Sequence, residues 1–220
     1  MAPKSEFLPP ALQDYVVEFG TPPDDLQQEL IAETAALFPA DFGYQIAPEQ
    51  GGFLTLMTRL IGARSAIELG TFTGYSALAI ARGLPADGRL ICCDISDEWT
   101  SLGRRYWERA GVADRIDLRI APALETLKAL PEEPTIDLVF LDADKPAYVD
   151  YWEELVPRVR PGGVLLVDNV FSHQGVLEEH PATVNARAIK EFNAHVRADT
   201  RVEQVMIPLA DGVTVARKLP

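Results

Sequence analysis

Two hydrophobic rhythms alternate along this chain. Short continuous apolar runs, such as Leu138-Val139-Phe140-Leu141 and Val164-Leu165-Leu166-Val167, read as strands buried on both faces, whereas longer segments repeat apolar residues every three or four positions, as helices do. Strands are predicted at Ser65–Leu69, Arg89–Asp94, Ile116–Ile120, Ile136–Leu141 and 163–167, with helices near 75–83, 97–110, 122–130 and 146–159 between them. That alternation predicts an α/β fold with a doubly wound, mostly parallel sheet. The last third departs from it. A helix over about 182–198 leads into extended runs at Val202–Ile207 and 213–217, joined by a two- to four-residue turn at Asp211-Gly212. The sheet, seven strands in all, is therefore expected to finish with an antiparallel hairpin.

The N-terminal part is less regular. Residues 1–22 are proline-rich and begin with a polar stub, which leaves only 11–19 for a short helix. After Pro22-Pro23, the positions Leu26, Leu30, Thr34 and Leu37 recur at helical spacing. A further helix follows Pro48, with Phe53, Leu56, Met57, Leu60 and Ile61 as its expected core-facing stripe and Gly62 as its end. The stretches P-A-D-G-R and R-P-G-G read as turns before the second and fifth strands.

A length of 220 residues suits one core, so a single domain over 1–220 is expected, with 1–45 as an N-terminal helical extension. Thirty-three acidic residues against twenty Lys and Arg leave a net charge of −13, which repels nucleic acid and anionic membrane surfaces. No apolar run approaches membrane-spanning length and no basic start precedes an apolar core, so a cytoplasmic location is expected. Cys92 and Cys93 are adjacent in a strand, pointing to opposite faces, and read as buried small residues.

The candidate chemistry starts at S-A-I-E-L-G-T-F-T-G-Y-S, residues 65–76. A strand ends in Glu68, a turn holds Gly70 and Gly74, and a helix follows; ligands bind beyond such strand ends in open parallel sheets. The spacing is neither the dinucleotide G-x-G-x-x-G nor a P-loop. Glu68, Asp94, Asp142 and Asp144 all fall at strand ends, and together they would repel a pyrophosphate. They suit a nucleoside carrying positive charge, such as S-adenosylmethionine, with Asp94 accepting from the ribose hydroxyls. A nicotinamide-dependent reductase would share the fold but lacks its cradle here; a non-catalytic nucleoside- or metal-binding module would need no base.

Two further strands end in L-D-A-D-K and V-D-N, which brings Asp142, Asp144, Asp168 and Asn169 to one sheet edge with Glu68 and Asp94. Clustered oxygen ligands of this kind are what Mg²⁺ or Ca²⁺ takes. Lys145, beside such an ion and away from bulk water, would have a lowered pKa and act as a general base toward a hydroxyl.

The stretches I-E-L-G-T-F-T-G-Y-S, I-C-C-D-I-S, A-L-E-T-L, F-L-D-A-D-K-P-A-Y-V-D-Y-W, L-L-V-D-N-V and P-L-A-D-G-V-T-V-A-R-K resemble the cation-dependent caffeoyl-CoA and catechol O-methyltransferase family, from about residue 44 to 218. The resemblance implies a Rossmann-like class I methyltransferase, a homodimer, and Mg²⁺-dependent (or Ca²⁺- or Mn²⁺-dependent) methylation of a vicinal phenolic diol. It implies metal binding by Asp142, Asp168 and Asn169, and Lys145 as base. For S-adenosylmethionine it implies Glu68, Gly70, Thr71, Tyr75, Ser76, Asp94, Ala123 and Asp144, with Asp142 beside them. His173 falls at a substrate-contacting position, although F-S-H-Q departs from the usual wording of that loop. The N-terminal extension falls near the acceptor site.

Overall fold

The computed structural model describes residues 8–220, so the polar stub expected at the start of the chain lies outside the described residues. Three helices come first: α1 (Pro10–Phe19), α2 (Asp25–Leu37) and α3 (Pro48–Leu60). Then β1 (Ser65–Leu69), α4 (Tyr75–Gly83), β2 (Arg89–Asp94), α5 (Asp97–Arg109), β3 (Ile116–Ile120), α6 (Ala123–Ala129), β4 (Ile136–Leu141), α7 (Tyr148–Arg158) and β5 (Val159–Asp168) alternate. The chain closes with α8 (Val184–Ala198), β6 (Val202–Ile207) and β7 (Val213–Lys218).

Among the described residues the seven strands form one sheet in the order β3-β2-β1-β4-β5-β7-β6. The first five are parallel, and β7 runs antiparallel to both β5 and β6, as the pattern predicted. The order reverses between β1 and β4, and this switch point opens a crevice at their carboxyl ends. Side chains alternate strictly. Ala66, Cys92, Phe140 and Leu166 face the layer of α2 to α5, whereas Ile67, Cys93, Val139 and Leu165 face α6 to α8. The two cysteines therefore do take opposite faces, both buried. No helix among the described residues is long and apolar enough to cross a membrane.

Three local expectations need correction. In α3 the buried face is Gln50, Gly51, Leu54 and Thr58, while Leu56 and Leu60 are exposed. Small residues win this face because α3 lies close against α4: a Cβ on Gly51 would sit 2.7 Å from Tyr75 Cε1. R-P-G-G does not precede β5 but lies within it, at a register irregularity that lets Val159 pair with Ile136. The hairpin loop spans five residues, 208–212, because Pro208 has no N–H to extend the β6 ladder. The short helix expected at 11–19 is α1, and its partner is α3, to which Gln13 Nε2 donates at Glu49 Oε1 (3.2 Å).

Gly51→Val tests the α3–α4 contact. The added methyls must displace the buried Tyr75 ring, so thermal unfolding should show a loss of roughly 1–3 kcal/mol. An unchanged melting temperature would mean that α3 can slide away without penalty.

Candidate functional site

Asp94, at the end of β2, organises the glycine turn. Its Oδ2 accepts from the N–H groups of Thr71 (2.9 Å) and Phe72 (2.8 Å), and its Oδ1 from Ser96 N–H (2.8 Å). These bonds hold a strained turn, since Phe72 has φ +50° and Gly70 φ +86°. Gly70 is further constrained because a Cβ there would lie 2.0 Å from the backbone oxygen of Asp142. Phe72 directs its ring into an aromatic group, with Trp99 at 5.2 Å and Tyr44 at 5.9 Å between centroids. Ala121 N–H donates to Asp94 O (2.9 Å), which sets Ala123, the first residue of α6, close by.

Glu68 is fully buried on the face it shares with Cys92 and Phe140. Burial raises its carboxyl to about 7, against opposing effects of Ser76, Cys92 and Thr71. Those three lie near, yet neither carboxyl oxygen meets the geometry of a hydrogen bond. Among the described residues Glu68 is therefore a buried acid without a bonded partner, next to the turn that holds Thr71 and Ser76.

The ends of β4 and β5 bring a second group together. Lys145 Nζ donates to Asp142 Oδ1 (2.8 Å) and to Tyr148 Oη (2.7 Å). Asp168, 2% exposed, accepts on Oδ1 from Gln50 Nε2 (2.9 Å) and from Asn169 N–H (2.8 Å). Its pKa is raised by burial and then by the Asp142 charge, while Lys145, Asn169 N–H and Gln50 oppose the rise. Burial alone would lower the Lys145 pKa, but Asp142 and Tyr148 outweigh it, and the net shift is upward. That is opposite to the depression expected of a base. Lys145 here is an ammonium held against a carboxylate.

Tyr75 and Asp144 turn to neighbouring helices, and His173 lies on a separate loop. Tyr75 turns onto α3 and borders a cavity of about 950 Å³ between α1, α3 and α4, which Glu49, Phe53 and Arg82 also line and which none of the strand-end acids borders. Asp144 accepts from Tyr151 Oη of α7 at 2.5 Å. His173 lies in a run of left-handed residues, with φ +46°, +51° and +66° for Ser172, His173 and Gln174. Asp211, in the β6–β7 loop, pins that run by accepting from His173 N–H on Oδ1 (2.8 Å).

Gln50, Tyr148 and Asp211 were not among the expected residues. None stands at the end of a parallel strand, where the acid pattern directs attention; the D-G of the hairpin was the only signal for Asp211.

Among the described residues no three His, Cys, Asp or Glu side chains gather as a cation site. The candidate set is two carboxylates and an amide: Asp142, Asp168 and Asn169. It nevertheless suits a divalent cation. The Asp142 charge adds to burial in raising the pKa of Asp168, and the Lys145 ammonium is drawn onto Asp142.

Residues 21–219 match the family model described as O-methyltransferase. A caffeoyl-CoA O-methyltransferase of Eucalyptus gunnii is 34% identical over 219 residues, covering 95% of this chain and 88% of its own. Catechol O-methyltransferase domain-containing protein 1 of Mus musculus is 41% identical over 174 residues, covering 78% of this chain and 66% of its own. The crystal structure of an O-methyltransferase from Bacillus cereus in complex with SAH superposes with a TM-score of 0.85 at 30% identity, covering 94% of this chain and 97% of that one. These matches set aside the reductase and the non-catalytic module.

The Glu68 carboxyl has a consequence for stability. Because the native state binds its proton more tightly than the unfolded chain, stability from this group falls as pH rises from about 4.5 to about 7, and the full penalty is present above that window. Such a shift is on the order of 3 kcal/mol. Glu68→Gln should therefore be more stable than wild type at pH 8 in urea unfolding and should match it near pH 4. Equal stability at pH 8 would show the carboxylate to be compensated.

Proposed function

The chain belongs to the O-methyltransferase family, and from that premise we propose that it transfers a methyl group from S-adenosylmethionine to a hydroxyl of a vicinal phenolic diol. The observation that carries this reading is the convergence of Glu68, Asp94, Asp142 and Asp168 around a glycine turn at the switch point of the sheet. The donor is a cation, and this edge is acidic. The SAH named for the Bacillus cereus relative supports the same donor here.

In this reading Gly70, Thr71 and Ser76 bring backbone and small side chains up to the donor. Asp94 keeps acceptor capacity beyond its three backbone bonds and takes the ribose hydroxyls, with Ala123 beside the adenine. Glu68 supplies negative potential from beneath the turn, and Asp142 and Asp144 add to it from the β4 end. Tyr75 acts from behind, by packing α4 on α3.

Asp142, Asp168 and Asn169 would hold a divalent cation, with Mg²⁺ the first choice and Ca²⁺ or Mn²⁺ as substitutes. When bound, it supplies charge that lowers the pKa of an acceptor hydroxyl and offsets the Asp142 carboxylate that faces Lys145. Lys145, whose Nζ stands 2.8 Å from Asp142 Oδ1, is the base that would take the acceptor proton. With the Asp142 charge offset in this way, Lys145 would give up its ammonium proton to solvent and the neutral Nζ would take the proton of the acceptor hydroxyl, whose oxygen takes the methyl as the sulfonium carbon–sulfur bond breaks and S-adenosylhomocysteine leaves. Tyr148 Oη, 2.7 Å away, fixes the direction of the amine. His173, on the pinned loop after β5, would contact the acceptor. One domain does this work, with residues 8–45 near the acceptor, in a cytoplasmic homodimer that needs neither nucleic acid nor membrane.

Removal of divalent cations with EDTA should abolish turnover, and Mg²⁺ should restore it, while S-adenosylhomocysteine still binds by calorimetry. Full activity after exhaustive chelation would take the cation out of the reaction.

Lys145→Ala should lower kcat by roughly 10²–10⁴ without loss of donor affinity. Lys145→Arg should not restore the rate, since a guanidinium stays protonated. A Lys145→Ala enzyme with near wild-type kcat would reduce Lys145 to a partner of Asp142.

A further inference from the structure

We infer that Gln50 is a positioning residue for the candidate cation site, holding one oxygen of Asp168 so that the other is presented to the ion. The inference rests on the cation reading above and adds to it a residue from α3, 118 positions away in the chain.

Gln50 is 3% exposed on the first turn of α3, and both ends of its amide are engaged. Ala47 N–H donates to Oε1 at 2.8 Å, and Nε2 donates to Asp168 Oδ1 at 2.9 Å. The first bond decides the second. A backbone N–H can face only the oxygen of the amide, so the nitrogen is obliged to face the carboxylate. A flipped amide would lose both bonds.

Asp168 Oδ1 also accepts from Asn169 N–H at 2.8 Å, and Oδ2 accepts no hydrogen bond among the described residues. One oxygen is thus anchored by two donors, and the carboxylate is left a single direction in which to bind. The anchor is stiff at both ends. Asn169 donates from a left-handed backbone at φ +58°, and Gln50 is braced by the cap of the helix that carries it. Glu49, its neighbour, bonds Gln13, so α1 also bears on this end of α3. Outer partners that orient metal ligands in this way are worth about tenfold to a hundredfold in metal affinity.

Calorimetric titration of the full chain with Mn²⁺, beside S-adenosylhomocysteine affinity and melting temperature, tests the assignment. Gln50→Met should raise the Mn²⁺ Kd by about tenfold to a hundredfold and leave the S-adenosylhomocysteine Kd within about twofold. Gln50→Glu separates positioning from capping, because it keeps an acceptor for Ala47 N–H and removes the donor to Asp168. Without metal its melting temperature should fall, because a second carboxylate then lies against Asp168, and its Mn²⁺ Kd should change about tenfold or more, upward from the lost donor or downward from the added charge. If Gln50→Glu binds Mn²⁺ within about twofold of wild type, Gln50 is only a helix cap and the inference fails. If the wild-type chain itself takes up no Mn²⁺, the cation reading fails with it, and the two failures are distinct.

Discussion

The backbone oxygen of Asp142 occupies the space in which any side chain on Gly70 would begin. This contact joins the two strands at which the sheet reverses its order, and it holds together two sets of acids that come from distant parts of the chain. Gly70 N–H donates to Cys93 O on one side, and Asp142 N–H to Leu69 O on the other, each at 2.9 Å. Asp94 can reach the N–H groups of Thr71 and Phe72 only because the turn leaves β1 at this angle. A methyl at residue 70 would part β1 from β4 and separate the Asp94 end of the crevice from the Asp168 end.

Much of this was readable in the residues. Strands buried on both faces announce themselves as continuous apolar runs, as in β4, while β3 shows apolar and charged residues in alternation, and β1, β2, β3 and β4 fell at their observed bounds. The acids at their ends were placed by the same logic. Periodicity served less well for α3, where Gln50, Gly51, Leu54 and Thr58 are buried, Phe53, Met57 and Ile61 are only partly so, and Leu56 and Leu60 face outward. Pattern reading ranks positions by hydrophobicity, whereas a close helix pair ranks them by size. Gln50 escaped for that reason and for another, that its partner lies in a different strand. The Lys145 shift also escaped, because its sign depends on whether Asp142 or a low dielectric dominates, and only distances decide between them.

Charge is distributed unevenly at this edge. Asp94 is answered by three N–H groups and Asp168 by Gln50 and Asn169, yet Glu68 has no bonded partner among the described residues. An acid kept in that state opposes folding, and proteins retain such groups where binding needs them. The aromatic group of Phe72, Trp99 and Tyr44 caps the same turn from the solvent side, so the strain of the turn is balanced by packing as well as by Asp94.

The adjacent cysteines carry a practical consequence. Burial pushes the Cys93 thiol up to about 12 and that of Cys92 well above its ordinary value. Alkylating reagents and oxidants attack the thiolate, so in the native chain both sulfurs are chemically silent. Each sits at the centre of one of the two layers beside the sheet, and they become reactive only when the sheet itself opens. Two neighbouring sulfurs thus form a built-in clock for global unfolding, one that does not respond to local opening at the surface.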